Sequence, residues 1–214
     1  MFRALCLSLL LATTPTLAQE DLPPPGPGEY KIDLAHSRLL FRVNHLGFSN
    51  YTALFTTFDA NLEFDPASPA AMSVSATIDI GSLETHYPDP AFDFNAVLTG
   101  ADFLNAAAFP TATFTSTAVV QTGPDSADVT GNLTLHGVTG PVTLSVIFNG
   151  GWGAMPMDPS GARIGFSATA QFNRSDFGMG FGVPEPGSEM GVADRVDIIL
   201  EAEFTSVSAA TPQP

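Results

Sequence analysis

Alternation of apolar and polar residues is the main pattern in this chain. The clearest stretch lies near the C-terminus, where one face would carry Val196, Ile198, Leu200, Ala202 and Phe204. The same period of two recurs at residues 58–64, 72–80, 112–120, 142–148 and 164–172, and more weakly at 37–45 and 128–135. Because successive side chains of a β-strand point to opposite faces, each stretch predicts a half-buried strand. The pattern therefore predicts an all-β fold with about eight antiparallel strands.

About eight antiparallel strands in one domain can close into a barrel, which removes the free edges of the sheet. A barrel of this size is either filled by side chains or holds one small ligand. In the stretch 112–120 the predicted inner face carries Ala112, Phe114, Ser116, Ala118 and Val120. Small residues beside a large one leave room for a ligand, but tapered packing explains the same mixture. The pattern alone does not decide between an interior filled by side chains and one that holds a ligand.

Residues 92–108 depart from the alternation. Their apolar side chains, among them Leu98 and Leu104, are spaced for one or two short helices that end before Pro110. We expect this segment to form a short helical cap over one end of the barrel.

The first eighteen residues have the composition of a secretory signal peptide. Arg3 precedes an apolar stretch at residues 4–11, and small residues at Thr16 and Ala18 favour cleavage after Ala18. The apolar stretch is shorter than the roughly 20 residues that a membrane-spanning helix needs. The single cysteine, Cys6, lies in this segment, so the mature chain would have no thiol chemistry. We therefore expect export to a bacterial periplasm.

These features divide the chain into four parts. We expect a signal peptide at residues 1–18, a Pro/Gly-rich tether at 19–28, one barrel domain at 29–206 and a disordered tail at 207–214. No apolar stretch long enough to span a bilayer follows the signal segment either. The mature chain is therefore predicted to have no integral membrane segment.

Acidic residues far outnumber basic ones, with 22 Asp and Glu against 7 Lys and Arg and a formal net charge of −15. Such a surface repels the phosphates of nucleic acids and anionic lipid headgroups. Because nucleic-acid binding requires a basic surface, we expect no nucleic-acid partner.

Residues that usually carry catalysis or bind metals show no organised pattern. The four histidines, His36, His45, His86 and His136, lie too far apart for the short local spacings of a zinc site. Carboxylates fall mainly on the polar faces of the predicted strands, and no nucleophile elbow is present. We therefore expect no enzyme, no catalytic residues, no metal and no cofactor. The 17 phenylalanines are typical of either a core or an apolar pocket.

Several motifs occur together in the order found in one known family. They are Tyr30-Lys31-Ile32-Asp33, Phe41-Arg42-Val43, Phe109-Pro110-Thr111-Ala112-Thr113-Phe114, Gly131-Asn132-Leu133-Thr134-Leu135-His136-Gly137-Val138-Thr139 and Arg174-Ser175-Asp176-Phe177-Gly178. Over residues 29–206 the chain resembles the YceI-like family. The resemblance implies a lipocalin-like barrel in the periplasm that binds a polyisoprenoid chain or a related amphiphile. At Phe94 and Asn95 the chain lacks an Arg-Asp pair that members often carry, so the resemblance implies no particular headgroup.

Strand phase and the resemblance together indicate the ligand-binding residues. From the barrel wall we expect Phe41, Val43, Phe55, Phe58, Phe114 and Phe166. From the cap we expect Leu98, Phe103 and Leu104, with His45 and Asn95 as polar candidates for orienting a headgroup. A shift of one residue in a strand would turn each of its side chains outward.

The leading hypothesis is a periplasmic carrier that holds a long apolar amphiphile, such as a polyisoprenoid, an isoprenoid quinone or a fatty-acid derivative. One alternative is a hydrolase or isomerase that acts on such a lipid with carboxylates or His45. A second is a stress-related interaction module with a filled barrel and no ligand. The only bound group expected is the lipid-like ligand itself. The sequence leaves open whether two barrels pair as a homodimer.

Overall fold

A computed structural model describes residues 22–156, 158, 160–188 and 190–207. The predicted signal peptide, the first residues of the tether and residues 208–214 of the predicted tail lie outside this described part. Within it, no helix is both long and apolar enough to cross a bilayer.

The described residues form eleven antiparallel strands and one short α-helix. The first six strands are β1 (Gly28–Ile32), β2 (Arg38–His45), β3 (Ser49–Phe55), β4 (Phe58–Phe64), β5 (Ser73–Asp79) and β6 (Leu83–Glu84). After α1 (Phe94–Leu98) come β7 (Thr111–Gly123), β8 (Ser126–Leu135), β9 (Val138–Trp152), β10 (Arg163–Asn173) and β11 (Val192–Ser206).

The eleven strands occupy eight positions in the wall, because three long strands are each interrupted once. β1 continues as β2, β3 as β4, and β5 as β6. β11 therefore pairs with β2 along most of its length and with β1 near its end. Because β1 pairs with β4 on its other side, the sheet closes on itself. The prediction of an eight-stranded antiparallel barrel is confirmed, and each predicted stretch occupies one wall position.

Most of the predicted inner faces agree with the burial of the side chains. In β4 the four alternate residues Phe58, Ala60, Leu62 and Phe64 are all buried. Residues opposite one another on neighbouring strands share a face, and Phe166 lies opposite Ala202 across β10 and β11. The inner face of the barrel is therefore apolar along these strands.

In β7 the predicted inner face is wrong for Ala118 and Val120. The pairing of β7 with β8 shifts between Ser116 and Ala118, which marks a β-bulge. One extra residue reverses the two faces of a strand, because its side chains alternate with a period of two. As a result Val119 is buried, and Val120 is 60% exposed on the outer surface.

The predicted cap of one or two short helices contains one, α1. The Asp93 carboxylate caps α1 by accepting a hydrogen bond from the Ala96 backbone N–H at 2.9 Å. Turns follow the helix as far as β7, and Leu104 and Ala106 in these turns pack against buried residues of the barrel. The segment between β6 and β7 therefore covers one end of the barrel, here named the cap end.

Two groups of buried residues fill parts of the interior. The cap-end cluster consists of Ile80, Ala112, Phe114, Val119, Val129, Leu135, Val142, Ala170, Phe177 and Met179. The open-end cluster consists of Tyr30, Ala60, Leu62, Phe64, Ala162, Ile164, Ala202 and Phe204. The open end is the end that carries the β4–β5 connection and the β7–β8 hairpin.

Candidate functional site

A cavity of about 360 Å³ lies between the two clusters and reaches the open end. Its walls are the inner faces of β4, β5 and β7–β11, and they include Phe64, Val74, Val146, Phe166, Leu200 and Ala202. The β4–β5 connection and the β7–β8 hairpin border its mouth. The cavity therefore opens at the end of the barrel that lies opposite the cap.

The space exists because small side chains line part of the wall. Ala127, Ala168 and Ala202 supply little volume, although all three face the interior. Val146 and Leu200 also point inward, yet they are only partly buried. Solvent therefore reaches apolar side chains inside the barrel, and an apolar ligand would gain affinity by covering them.

Aromatic rings form one side of the cavity. The Phe166 ring lies 5.4 Å from the ring of Phe148, 6.1 Å from that of Phe204 and 6.5 Å from that of Phe64, measured between centroids. Neighbouring rings at these distances and tilts pack favourably and restrict one another's motion. The contacting rings thus form a closely packed apolar wall on this side of the cavity.

The mouth forms where the wall between β5 and β7 separates. Pairing of these two strands ends at Ser75 and Thr115. One step further, the Val74 backbone N–H donates to the Ser116 hydroxyl oxygen at 2.9 Å, so a side chain replaces the backbone partner. The bulge at Ser116 thus ends the pairing of β7 with β5 and turns Val119 into the cavity.

Polar groups are few and are found near the mouth. Ser73, Gln121, Asp125 and Ser126 line this part of the cavity. Asp125 is the one carboxylate in the lining, so the described cavity residues do not provide a pair of acid and base groups. The arrangement can bind an apolar chain and contact a polar head.

Comparison with known proteins places this barrel in a family. The family model for the YceI-like domain matches residues 30–204. A UPF0312 protein of Pseudomonas putida strain W619 is 40% identical over 176 residues, which cover 81% of this chain and 85% of the relative. The chain belongs to the YceI-like family.

Solved structures show the same fold. The crystal structure of BcnA from Burkholderia cenocepacia superimposes with a TM-score of 0.66 at 30% identity, covering 80% of this chain and 98% of that one. A polyisoprenoid-binding domain from Saccharophagus degradans, implicated in plant cell wall breakdown, shares the fold with a TM-score of 0.56 at 16% identity. The match covers 83% of this chain and 98% of the chain of that domain.

Among the wall residues predicted from the sequence, Phe166 lines the cavity of this YceI-like protein. Phe41 and Phe55 face the interior nearer the cap, with ring centroids 5.8 Å apart. Val43, Phe58 and Phe114 are buried. The structure brings these five residues to the inner face but does not place them in the cavity lining.

The three predicted cap residues lie at the cap end. Leu98 is partly buried in α1, and Leu104 packs against the cap-end cluster. The Phe103 ring contacts the ring of Phe181, with centroids 5.2 Å apart. None of the three borders the cavity.

The two predicted polar candidates also lie away from the cavity. His45 is exposed at the end of β2. The amide oxygen of Asn95 accepts hydrogen bonds from the Thr85 backbone N–H at 2.9 Å and from the Thr85 hydroxyl at 2.6 Å. Asn95 therefore fixes the chain between β6 and α1, and its amide oxygen is already engaged.

Sequence reasoning missed the residues of the mouth. Met72 lines the cavity, and so do Gln121, Asp125 and Ser126. Gly123-Pro124-Asp125 is a typical turn sequence, but a turn sequence does not reveal which end of a barrel stays open. That choice depends on how the interior is filled, which involves residues distant in the chain.

An ion-pair network lies on the outer surface at the open end. Arg163 donates to carboxylate oxygens of Asp33 at 2.9 Å, Asp158 at 3.1 Å and Glu203 at 3.2 Å. Hydrogen bonds from His36 and Arg163 hold the pKa of Asp33 below its ordinary value, and the bond to Asp33 raises the pKa of Arg163. Although Asp33, His36 and Glu203 have the spacing of metal ligands, the Arg163 guanidinium already binds both carboxylates.

A second depression, of about 550 Å³, lies on the outer face between β9 and β10. Its rim carries the exposed polar side chains of Gln171, Asn173, Asp176 and Arg195. Solvent already surrounds the polar rim of this depression. The interior cavity, with its apolar walls, is the stronger candidate for a ligand site.

Proposed function

We propose that this protein is a periplasmic binding protein that holds the apolar chain of an amphiphile inside the barrel. The chain would be a polyisoprenoid, an isoprenoid quinone or a fatty-acid derivative. The observation that carries the proposal is the apolar cavity of about 360 Å³ that opens at one end. A domain of the same fold is named for polyisoprenoid binding, which supports this class of ligand.

The size of the cavity is consistent with the chain of such a ligand. At about 30 Å³ per water-sized group, this volume holds roughly a dozen methylene-sized groups. Each methylene group that leaves water contributes about 0.8 kcal/mol, so burial of such a chain contributes about 10 kcal/mol in favour of binding. The periplasmic location rests on the signal-like pattern of residues 1–18.

Adjacent residues of β9 provide a matched test of the cavity. Val146 points into the cavity, and Ile147 points outward and is 55% exposed. We expect Val146→Phe to weaken the binding of the apolar dye N-phenyl-1-naphthylamine by about tenfold or more, because the new ring occupies the ligand's space. Ile147→Phe adds the same group outside the barrel and should leave dye binding unchanged. Fluorescence titration measures both.

Native mass spectrometry of the protein exported by its host tests the proposal directly. We expect an apolar amphiphile to co-purify and to be recovered by lipid extraction. Recovery of no such molecule, together with no dye binding, would contradict the binding function. Turnover of an added lipid, lost in His45→Ala, would instead favour the enzyme alternative.

A further inference from the structure

The charge of the cavity mouth bears on the headgroup of the ligand. When an amphiphile inserts its chain, its head stays near the mouth, where Ser73, Gln121, Asp125 and Ser126 lie. Hydroxyl and amide groups can donate to or accept from an uncharged head. Asp125 adds a negative charge, which favours a cation and repels an anion.

No cationic side chain lines the cavity among the described residues. The two cations on nearby strand positions of the open end, Lys31 and Arg163, both point to the outer face. Lys31 pairs with Asp59 at 3.1 Å, and Arg163 binds three carboxylates. Their charges are therefore compensated outside the barrel and do not face the ligand.

The other lysine and arginine side chains in the described part of the chain lie elsewhere. Arg174 is buried at the cap end, and Arg195 borders the depression on the outer face. Arg38 donates to backbone carbonyls next to it, and Arg42 is exposed on β2. None of these four lines the cavity.

Electrostatics therefore act against an anionic head at two distances. At the mouth, a carboxylate or phosphate would lose part of its hydration without gaining a cationic partner, which is costly. Further away, the net charge of −15 opposes the approach of any anion. A hydroxyl, amide or quinone head meets neither penalty, and an ammonium head is attracted by both charges.

We infer that the cavity selects amphiphiles with an uncharged or cationic head and rejects carboxylates and phosphates. This inference rests on the proposed binding function and adds a headgroup preference to it. The head would lie at Gln121, Asp125 and Ser126, at the open end, rather than beside His45 and Asn95 at the cap end.

Four ligands with the same saturated chain separate the head from the tail: dodecanol, dodecylamine, dodecanoate and dodecyl phosphate. Each competes with N-phenyl-1-naphthylamine at about pH 7.5, where the amine and both acids are charged, at concentrations below its solubility limit or micelle concentration. We expect dodecanol and dodecylamine to displace the dye at concentrations at least about tenfold lower than dodecanoate or dodecyl phosphate.

Charge reversal at the mouth tests the role of Asp125. Asp125 is exposed in the β7–β8 hairpin, so Asp125→Lys should leave the fold intact. We expect this variant to bind dodecanoate at least about fivefold more tightly and dodecylamine more weakly. Asp102→Lys makes the same change of charge on an exposed residue of the cap, and it should leave the ratio of the affinities for dodecanoate and dodecylamine unaltered.

Equal competition by dodecanoate and dodecanol in the native protein would overturn the headgroup inference while leaving the binding function in place. If Asp125→Lys and Asp102→Lys change the ratio of the affinities for dodecanoate and dodecylamine equally, the inference is also overturned. The effect would then come from the net charge of the protein and not from the mouth. If none of the four ligands binds and the dye does not bind either, the proposed function itself fails.

Discussion

Arg174 is a buried charge whose partners are backbone carbonyls. It is 7% exposed, and its guanidinium donates to Met179 at 2.9 Å, Phe181 at 2.7 Å, Val192 at 2.9 Å and Ala193 at 3.1 Å. Burial lowers its pKa below the ordinary value for arginine. Because two of these carbonyls lie at the start of the segment before β11 and the other two lie in the first residues of β11, one side chain ties both ends of this segment to the barrel.

Replacement of Arg174 should therefore reduce stability. We expect Arg174→Met to lower the free energy of unfolding by about 3 kcal/mol or more, because four carbonyls lose their donors. Arg174→Lys lacks the planar set of five donors but keeps a positive charge and some donors. We therefore expect it to lower the free energy of unfolding by less than Arg174→Met does. Urea unfolding measures both variants. A loss below about 1 kcal/mol in Arg174→Met would show that the carbonyls find other partners.

At the scale of the elements, the junction of β7 and β8 controls the shape of the cavity. Gly131 lies in β8 opposite Ser116, at the start of the bulge in β7. A Cβ atom on Gly131 would lie 2.4 Å from the ring of Phe114 and 2.6 Å from the Thr115 carbonyl oxygen. Only glycine permits β7 and β8 to approach this closely.

We expect Gly131→Ala to destabilise the protein by about 1–3 kcal/mol, because the buried Phe114 ring and the β7 backbone must move. Gly165→Ala is the matched control, since its Cβ would meet no atom closer than 3.9 Å. Thermal unfolding and dye binding measured on both variants check the prediction. Equal melting temperatures for the two variants would contradict it.

The elements were largely predictable from the sequence, and the exception has a physical cause. Alternation located the strands and the inner face of β4 from Phe58 to Phe64, because a half-buried strand must alternate. Alternation failed at Ala118 and Val120, where one additional residue reverses the faces. The bulge lies opposite Gly131 and beside the end of β5, which are elsewhere in the chain, so the residues of β7 alone could not reveal it.

At the scale of the whole molecule, the Arg163 network connects parts of the chain that meet at the open end. Asp33 follows β1, Glu203 belongs to β11, and Asp158 lies in the connection before β10. Hydrogen bonds from the Ser160 side chain and backbone, with Arg163, lower the pKa of Asp158 from 3.8 to about 2. A carboxyl group with a lowered pKa in the folded state stabilises that state only while it is ionised.

This network predicts acid sensitivity in a defined range. The contribution of Asp158 should be complete above about pH 4 and should disappear as the pH falls towards about 2. The lowered pKa of Asp33 acts in the same direction. We expect Asp158→Asn to show a smaller drop in urea midpoint between pH 5 and pH 2.5 than the native protein. Asp102→Asn, on the exposed cap, is the control, and an identical drop in all three proteins would contradict the prediction.

The interior of the molecule differs between its two ends. The cap-end cluster fills the barrel beneath the cap, and the cavity lies towards the other end. The sequence predicted aromatic wall residues and a cap, and Phe166 does line the cavity. It could not locate the mouth, because Met72 and Asp125 meet there only after β4, β5, β7 and β8 have taken their places.

The sequence by itself determined the strands, their antiparallel order, most of the inward faces and the membership in the YceI-like family. Each of these depends on local alternation or on short motifs, which can be read along the chain. Only the tertiary structure decided where the barrel is filled, which end is open and which polar groups lie at the mouth. These features depend on the volumes of side chains that meet from non-adjacent strands, such as Phe64 and Phe166, and on the point where β5 and β7 separate.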